Sequence, residues 1–159
     1  TKTNDREKAS FLKENILPIE ESGQLKFVEH WFDKPNDNPG WHMTIGVLPS
    51  VPFTENISIR FVNGHTKDMM LPQIKYKDKT IVFMADLLPS AGHIPIPYVM
   101  AYDMFPLTTL QEKKSFLKEA VESNYILFFE HDPKIECCDL QMTEKGIRPG
   151  NYFKLEEII

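Results

Sequence analysis

Runs of apolar and β-favouring residues, separated by polar turn residues, predict several β-strands in the middle of the chain. Ser58–Val62 is rich in residues that favour strands, and it ends at the turn dipeptide Asn63-Gly64. Met70–Tyr76 and Thr80–Met84 follow, and the polar residues between them, Lys77-Asp78-Lys79, indicate a hairpin. The central part of the chain is therefore predicted to contribute these strands to a β-sheet.

Other strands are predicted on either side of this region. Tyr125–Phe129 is an unbroken apolar run, as expected of a strand that is buried on both faces. Asp139–Thr143 is a further candidate before the tail Asn151–Ile159. Nearer the N-terminus, Gln24–Glu29 alternates polar and apolar residues, and Trp41–Val47 is another candidate strand.

Two helices are predicted where apolar residues recur at helical spacing behind a capping pattern. Asn4 with Glu7 matches a polar N-cap and an acidic third helical position, which predicts a helix over 5–16 that Pro18 ends. Thr109 and Glu112 form a second such pattern. The residues after it predict an amphipathic helix with this range: 109–123.

Polar residues of metal-ligand type follow three of the predicted strands. His65 comes after Asn63-Gly64, Asp86 follows Thr80–Met84, and His131 follows the apolar run that ends at Phe129. Strand ends that share one edge of a sheet would bring the three side chains together. Two imidazoles and a carboxylate suit zinc, and also iron or manganese. The alternative is that each residue only caps or hydrogen-bonds the end of its own strand.

The local sequences around these residues resemble the downstream half of the metallo-β-lactamase superfamily. The segments are NGHT after a β-run, MADLLP after a hairpin, and FEHD after a helix and a buried strand, and the resemblance spans roughly residues 57–145. It implies that His65 binds a first metal ion, that Asp86 bridges two ions, and that His131 binds the second. It also implies a binuclear zinc hydrolase, with iron or manganese as possible substitutes.

The fold that this resemblance implies is α/β, namely the C-terminal half of an αββα sandwich. A mixed β-sheet would carry helices 5–16 and 109–123 on one face. We expect residues 1–159 to form a single domain that is a fragment or half of a larger one. The chain also begins without an initiator Met, as a processed, truncated or engineered polypeptide would.

One motif of the superfamily is absent from the sequence. H-x-H-x-D-H, which supplies the remaining ligands of both metals, does not occur, and the surroundings of His30 and His42 do not fit it. The isolated chain is therefore expected to bind metal weakly and to have little hydrolase activity. The open face of its sheet is expected to pack on the missing N-terminal half or on a second copy. A non-catalytic, metal-free interaction module of the same fold is the alternative.

The composition of the chain argues against some binding partners and favours one cellular compartment. A net charge of -5 without a basic cluster argues against nucleic acid, and no apolar run is long enough to span a membrane. The only two cysteines, Cys137 and Cys138, are adjacent and do not suggest a disulfide, which favours a reducing compartment such as the cytoplasm. Neighbouring residues of a strand point to opposite faces, so burial of a thiol is a simpler explanation than a metal site.

Three further residues lie near the candidate ligands in sequence. His93 belongs to Leu87–Pro106, a segment with too many prolines for regular structure, where it either lines a substrate pocket or is a solvent-exposed loop residue. Glu130 and Asp132 flank His131. They either orient its imidazole or solvate the end of the strand.

Overall fold

The computed structural model describes residues 4–28 and 50–158. The chain divides into two compact units, Thr1–Asn36 and Asp37–Ile159. All three candidate metal ligands belong to the second unit.

The first unit contains a 3-10 turn, Glu7–Ala9, followed by helix α1, Lys13–Glu21. The capping pattern at Asn4 is present, because its Oδ1 accepts from the Glu7 N–H at 3.1 Å and its own N–H donates to the Glu7 carboxylate at 2.9 Å. It closes only the 3-10 turn, however, and the predicted helix over 5–16 is wrong in both of its bounds.

Proline does not end the helix of this unit, because Pro18 lies inside α1. A proline in a helix removes one N–H donor and leaves the carbonyl four residues earlier without a partner. No residue of α1 is buried, so water can satisfy that carbonyl. The strand predicted over Gln24–Glu29 is also wrong for residues 24–28, which form no strand. The candidate strand Trp41–Val47 lies outside the described residues.

The second unit is built on a seven-stranded mixed sheet. Its strands follow the chain in order, and every neighbouring pair is antiparallel except β4 and β5, which are parallel. The parallel pair is connected through helix α2, Pro106–Glu122. The strands are β1 Val51–Pro52, β2 Ile57–Val62, β3 Met69–Tyr76, β4 Lys79–Phe83, β5 Ile126–Phe128, β6 Cys137–Thr143 and β7 Gly146–Phe153.

Strand direction explains why the candidate ligands share an edge of this sheet. Strands β2 and β4 are each antiparallel to β3 and therefore run in the same direction, and β5 runs parallel to β4. The C-terminal ends of all three strands thus lie at one edge. His65, Asp86 and His131 each follow one of these ends.

Helix α2 packs on one face of the sheet, as predicted. It begins at Pro106, earlier than the sequence pattern at Thr109 suggests. Proline is tolerated at the first position of a helix because the N–H group there has no partner within the helix. The main core lies between this helix, the sheet and the loop after β4. Its fully buried members include Val62, Leu71, Val82, Met84, Leu88, Ile94, Phe116, Leu117, Ala120, Leu127 and Cys138.

A buried cation also connects the sheet to α2. Arg60 in β2 is 5% exposed; its Nη1 and Nη2 donate to the Glu119 carboxylate at 2.8 and 2.5 Å, and its Nε donates to the Gln73 side chain at 2.8 Å. Its guanidinium also lies over the Phe116 ring, 5.9 Å from the centroid. Paired charges of this kind fix the position of the helix on the sheet.

The opposite face of the sheet is covered in part by the end of the chain. Ile158 packs with Ile81, Ile126 and Cys137 in a second buried cluster. The two adjacent cysteines therefore point to opposite faces, as predicted, and both thiols are buried and free. No helix in the described ranges is long and apolar enough to cross a membrane.

Candidate functional site

The structure brings the three candidate ligands together around one carboxylate. The Nε2 atom of His65 lies 3.4 Å from Oδ2 of Asp86, and the Nε2 atom of His131 lies 3.4 Å from Oδ1 of the same residue. Each imidazole therefore faces a different oxygen of Asp86. The exposed fractions of the side chains rise from 16% at His65 through 27% at Asp86 to 55% at His131, so the group opens toward solvent on the His131 side.

These distances are longer than typical hydrogen bonds and are compatible with a pair of zinc ligands. Two ligand atoms bound to one tetrahedral zinc at about 2.1 Å lie roughly 3.4 Å apart, whereas N–H···O hydrogen bonds are commonest near 2.9–3.0 Å. Each nitrogen–oxygen pair would supply two ligands to one ion. The described residues contain no group of three or more His, Cys, Asp or Glu side chains placed around one ion. His65 and His131 therefore each meet Asp86 as a separate pair.

The segment before His65 is held against the start of α2. A Cβ atom on Gly64 would lie 2.2–2.5 Å from Oγ1, N and Cα of Thr109, so no side chain fits there. The Phe105 N–H donates to the Gly64 carbonyl at 2.8 Å, and the Met104 N–H donates to the His65 carbonyl at 3.0 Å. Glycine in the NGHT segment thus permits the close backbone approach that places His65.

Glu112 of α2 completes this attachment. Its two carboxylate oxygens accept from the N–H groups of Asn63 at 2.6 Å and Gly64 at 3.0 Å. Burial raises the pKa of Glu112 to about 7, with a smaller contribution from the nearby Asp103 charge, although the two backbone donors act to lower it. Glu112 is therefore not part of a capping box, and its partners lie at the end of β2.

Backbone strain occurs immediately before Asp86. Ala85 has a φ of 40°, in the left-handed region that non-glycine residues rarely adopt. On one side the Met84 N–H donates to the Phe128 carbonyl at 2.9 Å, and on the other the Leu87 N–H donates to the Met84 carbonyl at 3.1 Å. The chain thus turns sharply after β4, and Asp86 lies in this turn.

The loop of His131 is held by a neighbouring carboxylate. Asp132 accepts three backbone N–H groups at 3.0 Å, from Ala91, Lys134 and Ile135, and the His131 N–H donates to the Pro89 carbonyl at 3.1 Å. These donors lower the pKa of Asp132, although its partial burial acts to raise it. Asp132 therefore fixes the backbone of this loop, and Glu130 is exposed.

Asp103 is a site residue that the sequence pattern did not reveal. Its Oδ1 lies 3.0 Å from Nδ1 of His65, and its side chain is fully buried. Its Oδ2 is buried without a hydrogen-bond partner in the part of the chain that the structure describes. No spacing signals this contact, because Asp103 lies in a proline-rich loop and meets His65 only through the tertiary fold.

His93 does not join the group around Asp86. Its Nδ1 lies 2.8 Å from the Ser90 hydroxyl, and the ring is partly buried. Burial, and to a smaller extent the Lys113 charge, lower the pKa of His93, whereas the Asp103 charge acts to raise it. Lys113 is itself fully buried, and its ammonium donates to the carbonyls of three loop residues at 2.5–3.3 Å: Pro95, Ile96 and Tyr98.

Comparison with solved structures identifies similar folds. A probable metal-dependent hydrolase from Staphylococcus aureus matches 67% of this chain at 21% identity with a TM-score of 0.59. AidC, a dizinc quorum-quenching lactonase, matches 66% at 18% identity with a TM-score of 0.57. The hydrolase AbOPH of the beta-lactamase superfamily matches 65% at 16% identity with a TM-score of 0.54.

These likenesses show the fold. The matched part of this chain has the α/β architecture of metallo-β-lactamase-type hydrolases, with a mixed sheet and a covering helix. The chain spans 38%, 36% and 37% of the lengths of the three matched structures. No family model matches the sequence, and no relative is found among curated proteins.

Proposed function

We propose that the protein is a metal-dependent hydrolase of the metallo-β-lactamase type, and that this chain supplies His65, Asp86 and His131 to a two-zinc site. The observation that carries the proposal is the placement of one carboxylate between two imidazoles, each 3.4 Å from a different oxygen. His65 and Asp86 would hold one ion, and Asp86 and His131 the other. Iron or manganese could replace zinc at ligands of this kind.

The chemistry of the ligands agrees with this assignment. When bound, divalent zinc lowers the pKa of water toward ~7 and polarises a carbonyl or phosphoryl oxygen. His65, Asp86 and His131 would hold the ions. Such a centre suits hydrolysis of an ester, thioester, lactam, lactone or phosphodiester. Two of the similar structures support metal dependence, since one is described as a probable metal-dependent hydrolase and another as a dizinc lactonase.

The isolated chain is proposed to be inactive. Each proposed metal position would receive only two ligands from the described residues, whereas catalytic zinc sites usually have three protein ligands and one open position. The remaining ligands would come from a segment with the H-x-H-x-D-H motif. If the chain binds no metal at all, it is instead a non-catalytic interaction module of the same fold.

Two exposed apolar side chains on the sheet support a protein partner, although Ile59 and Phe61 on the same face are buried. Met70 and Ile74 of β3 lie on the face opposite α2 and are 47% and 38% exposed. Apolar residues exposed on a sheet face favour association. We propose that the missing N-terminal half of the domain covers this face, and that residues 1–159 are one part of that domain. Self-association through the same face is the competing possibility. Light scattering of the isolated chain distinguishes the two, because self-association would raise its measured mass above that of a monomer.

A cytoplasmic location is also proposed. Its support is the absence of a disulfide at the free thiols Cys137 and Cys138. Fractionation of cells that express the full-length protein tests this assignment.

Zinc binding by the 159-residue chain tests the metal site directly. Equilibrium dialysis followed by elemental analysis should show zinc in the wild type, strong loss in Asp86→Asn, and partial loss in His131→Ala. Asp78→Asn is the matched control, because Asp78 is exposed in the hairpin between β3 and β4, at the opposite end of β4 from Asp86. Zinc retained at wild-type level by Asp86→Asn would contradict the proposed site, and no zinc in any form would favour the interaction module.

A further inference from the structure

We propose that Asp103 is a positioning residue, which accepts the Nδ1 proton of His65 and so keeps Nε2 of this imidazole free and aimed at Asp86 for metal binding. This inference rests on the proposed function, because it concerns the same site. It adds a residue to the site that contacts no metal and acts only through His65.

The geometry distinguishes the two nitrogen atoms of His65. Nδ1 lies at hydrogen-bonding distance, 3.0 Å, from Oδ1 of Asp103, whereas Nε2 lies at the longer distance of 3.4 Å from Asp86. A neutral imidazole carries one proton, and the better acceptor determines which nitrogen holds it. Asp103 is the nearer acceptor, so the free lone pair is on Nε2. Carboxylates that orient a metal-binding histidine in this way are common at zinc sites.

The position of Asp103 is fixed by the backbone next to it. Met104 donates to the carbonyl of His65, and Phe105 donates to the carbonyl of Gly64. The loop that carries Asp103 therefore runs beside the segment that carries His65 and is bonded to it at two points. These two hydrogen bonds keep the Asp103 carboxylate beside the His65 imidazole. A flexible carboxylate on the surface would not be held in one place.

The burial of Asp103 indicates a specific role. A buried carboxylate with one unpartnered oxygen is costly unless a nearby charge compensates it. Lys113 provides such a charge: it is fully buried, three carbonyls hold it, and Asp103 is close enough to act on its pKa. Asp103 thus interacts electrostatically with a fixed cation and contacts His65 directly. A metal ion on the far side of the His65 imidazole would further stabilise the negative charge of Asp103.

Nitrogen-detected NMR of the histidine side chains in the 159-residue chain tests the proposal. In metal-free wild type at mildly alkaline pH, we expect His65 to be protonated on Nδ1, and we expect this preference to be lost in Asp103→Ala. Zinc is then titrated while the Nε2 signals of His65 and His131 are followed. Asp103→Asn should weaken the zinc response of His65 by about 10- to 100-fold, with a smaller change at His131. Asp78→Asn again serves as the matched control.

The outcomes separate this inference from the proposed function. Equal weakening at both histidines in Asp103→Asn would indicate a general structural effect and would overturn the positioning role, as would an unchanged response at His65. If neither histidine of the wild type responds to zinc, the proposed function fails. The metal-free spectra then still decide whether Asp103 fixes the imidazole, because protonation of His65 on Nε2 in the wild type would overturn that assignment. Asp103→Asn, which preserves side-chain shape, keeps the test decisive if Asp103→Ala does not fold.

Discussion

The two sides of Asp86 are built differently. His65 is 16% exposed, and the segment around it is attached to α2 and to the loop before α2 by Glu112, by Asp103 and by close contact at Gly64. His131 is 55% exposed, and its loop is held mainly by Asp132. A buried, multiply attached ligand costs little entropy to order on binding, whereas an exposed ligand must be ordered. The His65 side is therefore expected to bind metal more tightly than the His131 side.

The largest effect is expected from closing the contact at Gly64. In Gly64→Ala the new Cβ would overlap backbone atoms of Thr109, which cannot move aside as a flexible side chain would. We expect a loss of about 3 kcal/mol or more in the free energy of unfolding and loss of the zinc response of His65. Urea unfolding measures the first effect. Gly92→Ala is the control, since its Cβ would meet only the Ser90 hydroxyl at 3.5 Å, and an equal loss there would contradict the explanation.

A pH-dependent effect is expected at Glu112. Its pKa in the folded protein is raised from 4.5 to about 7, so folded protein retains a proton that unfolded protein releases. The contribution of Glu112 to the free energy of unfolding is therefore largest below pH 4.5. It falls as the pH rises to about 7, by up to about 3 kcal/mol. Glu112→Gln should remove this fall and should also cost about 1–3 kcal/mol because one backbone N–H loses its acceptor.

The control for this pH series is Glu122→Gln, because Glu122 is exposed at the end of the same helix. Urea unfolding of the three proteins across this pH range provides the measurement. A Glu112→Gln variant with the same pH dependence as the wild type would show that the raised pKa does not contribute.

A smaller and more local effect is expected on the other side of the site. Asp132→Ala leaves three backbone N–H groups without their acceptor, but Asp132 is only partly buried and water can replace part of the loss. We expect a cost of about 1–2 kcal/mol and weaker zinc binding at His131. The zinc response of His65 should be preserved. An equal loss at both histidines would mean that the two sides are not held independently.

The smallest effect is expected at His93. Its Nδ1 contacts Ser90, and the ring is absent from the group around Asp86. His93→Ala should therefore leave zinc affinity unchanged in equilibrium dialysis. A clear fall in zinc affinity would place His93 in the metal site. The loop after β4 would then have to be compared with the His65 and His131 sides.

The strands next to the site could be predicted because their patterns are local. The β-favouring runs of β2, β3 and β4 and the apolar run of β5 are visible in the local sequence, and the three candidate ligands directly follow β2, β4 and β5. Strand β7 was missed, because Gly146, Pro149 and Gly150 interrupt its pattern. Pro149 is tolerated there because β7 is an edge strand.

The supporting residues of the site could not be predicted, because their partners are distant in sequence. Glu112 was interpreted as part of a capping box with Thr109, yet its partners Asn63 and Gly64 lie 49 and 48 residues away. Asp103 and His65 are 38 residues apart. The spacing of residue types identifies candidate ligands, but only the tertiary fold determines what holds them in place.

The adjacent thiols of β6 make the two faces of the sheet separately measurable. Burial raises the pKa of Cys137 to about 11 and that of Cys138 to about 12, so neither thiol reacts readily while it stays buried. Modification of each must wait for a local opening of its own face. Two variants that each retain one cysteine would thus report the opening rates of the helix-covered face and the tail-covered face, from positions one residue apart.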